Sequence, residues 1–314
     1  MLSYDEANTV VYYTLSGASI LFAIPFFYIM MFHSPSTIRL YRNTILNLTI
    51  WYYLAVLING IFLQFLFTIH GDQLCAKYVG LASYFGPAGV FVCLFLCMIS
   101  CTNAGVSMFI CFIFRYVQIS NHTLPAYFLW FRPTTMCVIL HVTSSIVAGL
   151  MTYVFLSTAY IFEIHGILYA CFDEKNYSTI KTVSSAIVGG VALATVLIFC
   201  LVFMSIKALR SAKAFMTKQT YRLQLLLTTN LVVLAVSPIV FTVVPITSNW
   251  LCVYFRSDIA QFSLTFAAQV PFLDVVSMCW ITVAFVTPYR EAVRKFFCKK
   301  LTVAPIAQQA LTVA

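Results

Sequence analysis

The chain has 314 residues, of which 9% are charged and 62% apolar, and its mean hydropathy is +0.95. Soluble domains carry about 25% charged residues, so the composition excludes a water-soluble enzyme or binding module and puts the chain in a membrane. A helical span takes about 20 residues, so about seven spans with short loops use up the length and leave no room for a separate soluble domain.

Apolar runs bounded by loop signals predict spans near 10–32, 44–69, 84–117, 134–158, 182–207, 223–247 and 263–287. No internal repeat, low-complexity tract or Gly/Ser linker interrupts them. The first run, Val10 to Met31, exceeds the apolar core of a signal peptide and has no basic segment before it, so it reads as a retained span. The third is led in by "YFGPAGVFVC", around Pro87. After the seventh comes "FVTPYREAVRKFFCKK". There Tyr289, Ala292, Val293, Phe296 and Phe297 share one helical stripe, with Arg290, Glu291, Arg294 and Lys295 away from it. This predicts a short amphipathic helix, 289–298, lying along the membrane surface, with 301–314 as a short tail.

The net charge of +9 is distributed as a membrane protein distributes it. With the N-terminus outside, fourteen of the eighteen Lys and Arg residues fall inside. They include Arg39 and Arg42, Arg115 and Arg132, the run Lys207, Arg210, Lys213, Lys218 and Arg222, and the basic tail. Lys77, Lys175, Lys181 and Arg256 remain outside, and most carboxylates accompany them. The positive-inside rule therefore predicts N-out, C-in. The basic side of the terminal helix then meets anionic lipid headgroups, and no nucleic-acid partner is implied.

An all-α bundle of seven spans with this orientation is the architecture of G-protein-coupled receptors. At the inner end of the third span "FICFIFRYVQIS" carries Phe114, Arg115 and Tyr116. The lead-in to the sixth span, "KQTYRLQLLLTTNLVVLAVSPIVFTVVP", carries Leu223, Gln224, Leu227, Pro238 and Pro245. The seventh span ends in Pro288, Tyr289 and Arg290. These motifs, in this order, resemble those of the nematode serpentine chemoreceptors, the superfamily that includes the Str, Srd and Srh groups. The match covers roughly 100–120 and 213–298; the remaining spans agree in hydropathy alone. Two departures leave the subgroup open. Asn230 stands where the family's sixth-span glutamine would fall, and the Asp-Pro frequent in the seventh span is absent around Asp274.

The resemblance implies detection of an environmental small molecule or peptide-like signal, coupling to a heterotrimeric G protein, and residence in the plasma membrane of a sensory cilium. It assigns Arg115 and Tyr116, Lys213, Lys218 and Arg222, and Tyr289 and Arg290 to the G-protein face. An arginine at that depth can offer donors to a partner's carbonyls, although an isolated Phe-Arg-Tyr would more often be an interfacial anchor. The resemblance leaves room for a homo- or heterodimer.

Asp274 is the one carboxylate inside a span. It lies fifteen residues before Tyr289, or about 22 Å along a helix. A charge there is a ligand-site candidate by default, against the plainer reading of a carboxylate hydrated or bonded to Gln269 or Ser277. Gln269 and Asn103 complete the ligand candidates. His141 reads as a packed, hydrogen-bonded histidine.

Of eleven cysteines, Cys75, Cys171 and Cys252 fall in outer segments, where the compartment is oxidising. Receptors of this architecture commonly tie the top of the third span to the second outer loop, which here would pair Cys75 with Cys171, with Cys252 open as a competitor. Cys93, Cys97 and Cys101 form a stripe without histidine or carboxylate and read as packing residues, not a metal site. Cys298 is a palmitoylation candidate. The sequon at Asn176 is usable in an outer loop, whereas those at Asn47 and Asn121 fall in a span and an inner loop.

The alternatives are weaker. A catalytic site needs paired titratable groups, and only Asp274 and His141 lie inside spans. A transporter would show matching broken halves. A seven-helix ligand-gated channel of the insect odorant-receptor kind is longer and N-in. No lysine in the seventh span could hold retinal, so no cofactor is implied.

Overall fold

In hydrocarbon every backbone amide must be paired within the protein, so long apolar runs become helices. A computed structural model of the chain describes residues 4–35, 38–70, 73–120, 133–164, 167–172, 177–255 and 259–298. Among these, seven helices are long and apolar enough to cross a membrane. The first is α1 (Tyr4–Phe32); the second is α2 (Arg39–Leu57), continued by a π-helical turn, Ile58–Leu63. Then come α3 (Gly86–Ser120), α4 (Pro133–Ser157) and α5 (Tyr177–Ala212). The sixth is built of α6 (Lys218–Pro238), a second π turn (Ile239–Val243) and α7 (Val244–Tyr254). The seventh is α8 (Ala260–Gln269) followed by α9 (Pro271–Phe285). A final helix, α10 (Thr287–Cys298), follows.

The expectation of an all-helical chain needs one correction. Four strands, β1 (Phe65–His70), β2 (Gln73–Tyr78), β3 (Ala159–Ile164) and β4 (Ile167–Phe172), form an antiparallel sheet of order β1-β2-β4-β3. The apolar run 44–69 is therefore not one span. Gln64, at φ 47°, closes the π turn in the left-handed region, and the chain leaves the helix as β1. "FLFTIH", "AYIFEI" and "ILYACF" are rich in the aromatic and β-branched residues that suit a pleated surface. The register His70↔Gln73 and Ile164↔Ile167 leaves two-residue links whose sequences are Gly-Asp and His-Gly, the composition of tight hairpins. Cys75 and Cys171 stand opposite each other across β2 and β4 and are disulfide-bonded.

The sheet caps the bundle at the end where α1 begins and α3 starts. Asp5 of α1 pairs with Lys77 of β2, and the Tyr12 hydroxyl donates to the Phe65 carbonyl at 2.8 Å. Below it α3 is central and packs on α2, α4, α5 and α6. Tyr12, Leu48, Phe112, Leu231, Phe272 and Tyr289 belong to the main core, drawn from α1, α2, α3, α6, α9 and α10. In lipid such packing is held by close van der Waals fit more than by the hydrophobic effect. Gly60 shows how close: a Cβ there would sit 2.0 Å from Ser16 Oγ and 2.6 Å from the Phe272 ring.

Helix α9 stops where Val286 turns extended (φ −84°, ψ 103°), and Pro288 opens α10 in the first turn, where its missing N–H costs nothing. Tyr289, Ala292 and Val293 pack onto the core, while Arg290, Glu291, Arg294 and Lys295 are exposed. Asn176, Asn121 and the segment 301–314 lie outside the described residues.

Candidate functional site

The last turns of α3 carry Arg115 inward, 2% exposed. Nε donates to Thr228 Oγ1 at 3.0 Å, Nη1 to Gln118 Oε1 at 3.2 Å, and Nη2 to the Gln224 carbonyl. Thr228 Oγ1 in turn donates to the same Gln224 carbonyl at 2.9 Å, as a threonine one turn on from it will. A buried guanidinium is costly unless its donors are satisfied, and here neutral oxygens of α3 and α6 satisfy them. No carboxylate is among its partners in the described residues. Tyr116 beside it is half-buried.

Two more polar links close this end. Asn230 Nδ2 of α6 donates to the Tyr41 hydroxyl of α2. Ser34 Oγ lies 2.7 Å from the Met30 carbonyl and 2.9 Å from the Tyr289 hydroxyl. The serine's one proton goes to the carbonyl, so Tyr289 donates to Ser34. Burial pushes the Tyr289 phenol above its ordinary value, which keeps it a neutral donor. Tyr289 is 0% exposed and so anchors α10 to α1; it offers no surface to a partner. Lys213, Lys218, Arg222 and Arg290 are exposed around the same end. Lys213 Nζ stands 5.8 Å from the Tyr221 ring centre, Arg290 Nη1 is 3.5 Å from the Ala284 carbonyl, and Thr217 caps α6 through the Thr220 amide at 3.3 Å.

Asn103, a ligand candidate by sequence, is consumed by a network between α2, α3 and α4. Its Nδ2 donates to Ser145 Oγ (2.9 Å), and its Oδ1 accepts from Ser144 Oγ (2.5 Å) and from His141 Nδ1 (2.8 Å). Because Oδ1 can only accept, His141 carries its proton on Nδ1. Nε2 then accepts from Asn47 Nδ2 at 3.1 Å, whose other proton goes to Ser107 Oγ at 2.9 Å. Asn103 is 0% exposed, its Oδ1 accepts two hydrogen bonds and its Nδ2 donates one, so it joins α3 to α4.

The two remaining ligand candidates part company. Asp274 is 1% exposed; Ser237 Oγ of α6 donates to its Oδ1 at 2.5 Å, Ser237 and Ser277 hydroxyls are 2.7 Å apart, and Tyr52 of α2 is a neighbour. Gln269 is not among its partners. Gln269 Nε2 instead donates to Asn8 Oδ1 of α1 at 3.1 Å, and both amides line a cavity of about 460 Å³ between α1 and α8. Tyr4, Phe262 and Phe266 supply aromatic walls. Cys252, on α7, is free, and Cys298 ends α10. Among the described residues no group of His, Cys, Asp and Glu could hold a metal.

Thr228, Gln118 and Tyr41 were missed as functional residues by sequence reasoning, and so were Tyr4 and Asn8. The threonine one turn after Gln224 and Gln118, three residues after Arg115 on the same helix, were the legible signals; the roles of Tyr41, Tyr4 and Asn8 depend on which helices meet.

Seven membrane-competent helices around a central third helix, with a buried arginine at one end, define the rhodopsin-like receptor architecture. The crystal structure of squid rhodopsin matches at a TM-score of 0.61 and 15% identity, over 98% of this chain and 90% of that one. At that identity the likeness speaks for the fold. The family model described as serpentine type 7TM GPCR chemoreceptor Srd matches residues 8–295. The chain therefore belongs to the Srd family of serpentine chemoreceptors, multi-pass membrane proteins. No curated protein matches it significantly in sequence.

Proposed function

We propose that this chain is a chemosensory receptor that takes up an extracellular small molecule or peptide-like signal at the sheet end and activates a heterotrimeric G protein at the α10 end. The observation that carries the reading is Arg115, held from α3 against α6 by charge-assisted hydrogen bonds to two neutral oxygens, the Thr228 hydroxyl and the Gln224 carbonyl. Such bonds are each worth about 1 kcal/mol net, or somewhat more to a charged group. An agonist that favours a wider α3–α6 spacing by a few kcal/mol can release them and free the guanidinium for a partner's carbonyls.

In this reading the N-terminus is outside, as the Lys and Arg distribution supports. Lys213, Lys218, Arg222 and Arg290 meet the G protein or anionic headgroups, with Tyr289 holding α10 in place and Tyr116 bordering the crevice. Asn176 is then glycosylated, Cys298 is available for acylation, and the receptor resides in the ciliary membrane of a sensory neuron.

The test is agonist-dependent nucleotide exchange on a co-expressed G protein, over a broad small-molecule panel, comparing wild type with Arg115→Ala. A wild-type response that is lost in a variant still reaching the surface supports the reading. A response that survives reduces Arg115 to an anchor. Ligand-evoked current without G protein would replace the receptor reading with a channel.

A further inference from the structure

Pro271 has no amide hydrogen and its ring crowds the preceding turn, so the seventh span cannot run straight from α8 into α9. Below the break α9 packs on α1; above it, α8 turns to β1 and α7. The divergence opens the cavity on the flank of the bundle. Tyr4 and Phe262 meet edge to face at its upper rim (5.5 Å between centres), and the Asn8–Gln269 hydrogen bond forms its floor.

The floor has polar capacity to spare. One N–H of Asn8 Nδ2 goes to the Tyr4 carbonyl at 2.8 Å, and Asn8 Oδ1 accepts from Gln269. Gln269 keeps its Oε1 acceptor and its second N–H without a partner among the described residues. Thr265 and Ser263, also on the lining, are taken, by the Phe67 amide at 3.3 Å and by Asn249. None of the described lining residues is charged, and Phe262 and Phe266 are 60% and 64% exposed beside the opening.

We infer that this groove binds a small neutral amphiphile, a molecule with one hydroxyl or carbonyl and a short apolar body, seated between α1 and α8. The donor–acceptor pair on Gln269 takes the polar end, and the aromatic walls take the body. Asp274 plays no part in it. The inference deepens the receptor reading by naming the agonist's class and place.

The test reads binding directly, without G protein. The variant Phe262→Trp, at an exposed position, is placed in lipid nanodiscs and quenched with 9-bromo-1-nonanol. Phe199→Trp, on the exposed face of α5, reports quenching by partition alone. Saturable extra quenching in the first variant, weakened about fivefold for 1-bromononane, which lacks the hydroxyl, supports the groove; fivefold is the worth of one hydrogen bond. Equal, unsaturating quenching in both variants overturns it. So does quenching by bromoacyl phosphatidylcholine that 1-nonanol does not displace, which would make the occupant a lipid chain. Nucleotide exchange driven by some agonist with no groove binding sinks the groove and leaves the receptor. Groove binding without exchange for any agonist leaves the groove and sinks the receptor reading.

Discussion

The two ends of the bundle are closed by different chemistry. At the sheet end a disulfide, a four-stranded ladder and the Asp5–Lys77 pair join elements from α1 to β4. At the α10 end the polar links between elements are hydrogen bonds with no carboxylate partner: Arg115 to Thr228 and Gln224, Asn230 to Tyr41, and Tyr289 to Ser34. The first kind of closure does not come apart under physiological conditions; the second opens for a few kcal/mol. The contrast suits a molecule whose sheet end holds its shape while its α10 end changes, and it can be attacked from either side.

The largest effect should come from the sheet. Replacing Cys75 and Cys171 by serine frees two strands separated by 96 residues of chain. It should cost about 2–5 kcal/mol of stability, seen as a large drop in thermal midpoint of the detergent-solubilised protein and loss of surface expression. Next, Gly60→Ala forces a methyl against Ser16 and Phe272 and should cost about 1–3 kcal/mol in the same measurement. The additional change Ser16→Ala should recover little of it, because the Phe272 ring still blocks the site.

Asn103→Ala strips partners from His141, Ser144 and Ser145. With intramembrane hydrogen bonds averaging about 0.6 kcal/mol, the expected loss is about 1–2 kcal/mol of stability with no change in agonist potency. A shifted dose–response at unchanged stability would restore Asn103 as a ligand contact. The smallest and most informative change is Thr228→Val, which removes one acceptor from Arg115 and should raise agonist-independent exchange about fivefold, as about 1 kcal/mol implies. It should leave the thermal midpoint nearly untouched.

The helices were legible because hydrocarbon leaves an apolar run no other option; charge counts then suggested their direction. Strands β1–β4 were not legible on that basis. Phe65–His70 continues an apolar run, and only Gln64 and the Gly-Asp and His-Gly links signalled that the chain turns back on itself. Arg115 could be singled out from its motif, but its partners could not. Which α6 residues face α3 depends on the rotation of a helix that carries both a π turn and a proline. Asp274 and Gln269 are five residues apart in sequence, which suggested a shared site. Five residues are about 140° of helical turn, so the two face different ways, Asp274 in the core and Gln269 on the flank.

The most direct test of the central claim is a distance. Spin labels on Asn43 at the start of α2 and Arg222 on α6, both exposed, bracket the end that Arg115 closes. With agonist and nucleotide-free G protein present, the mean separation should lengthen and its distribution shift to a second population, and Thr228→Val should show part of that shift unaided. A separation that stays the same under all three conditions, in protein that still binds agonist, would contradict the account.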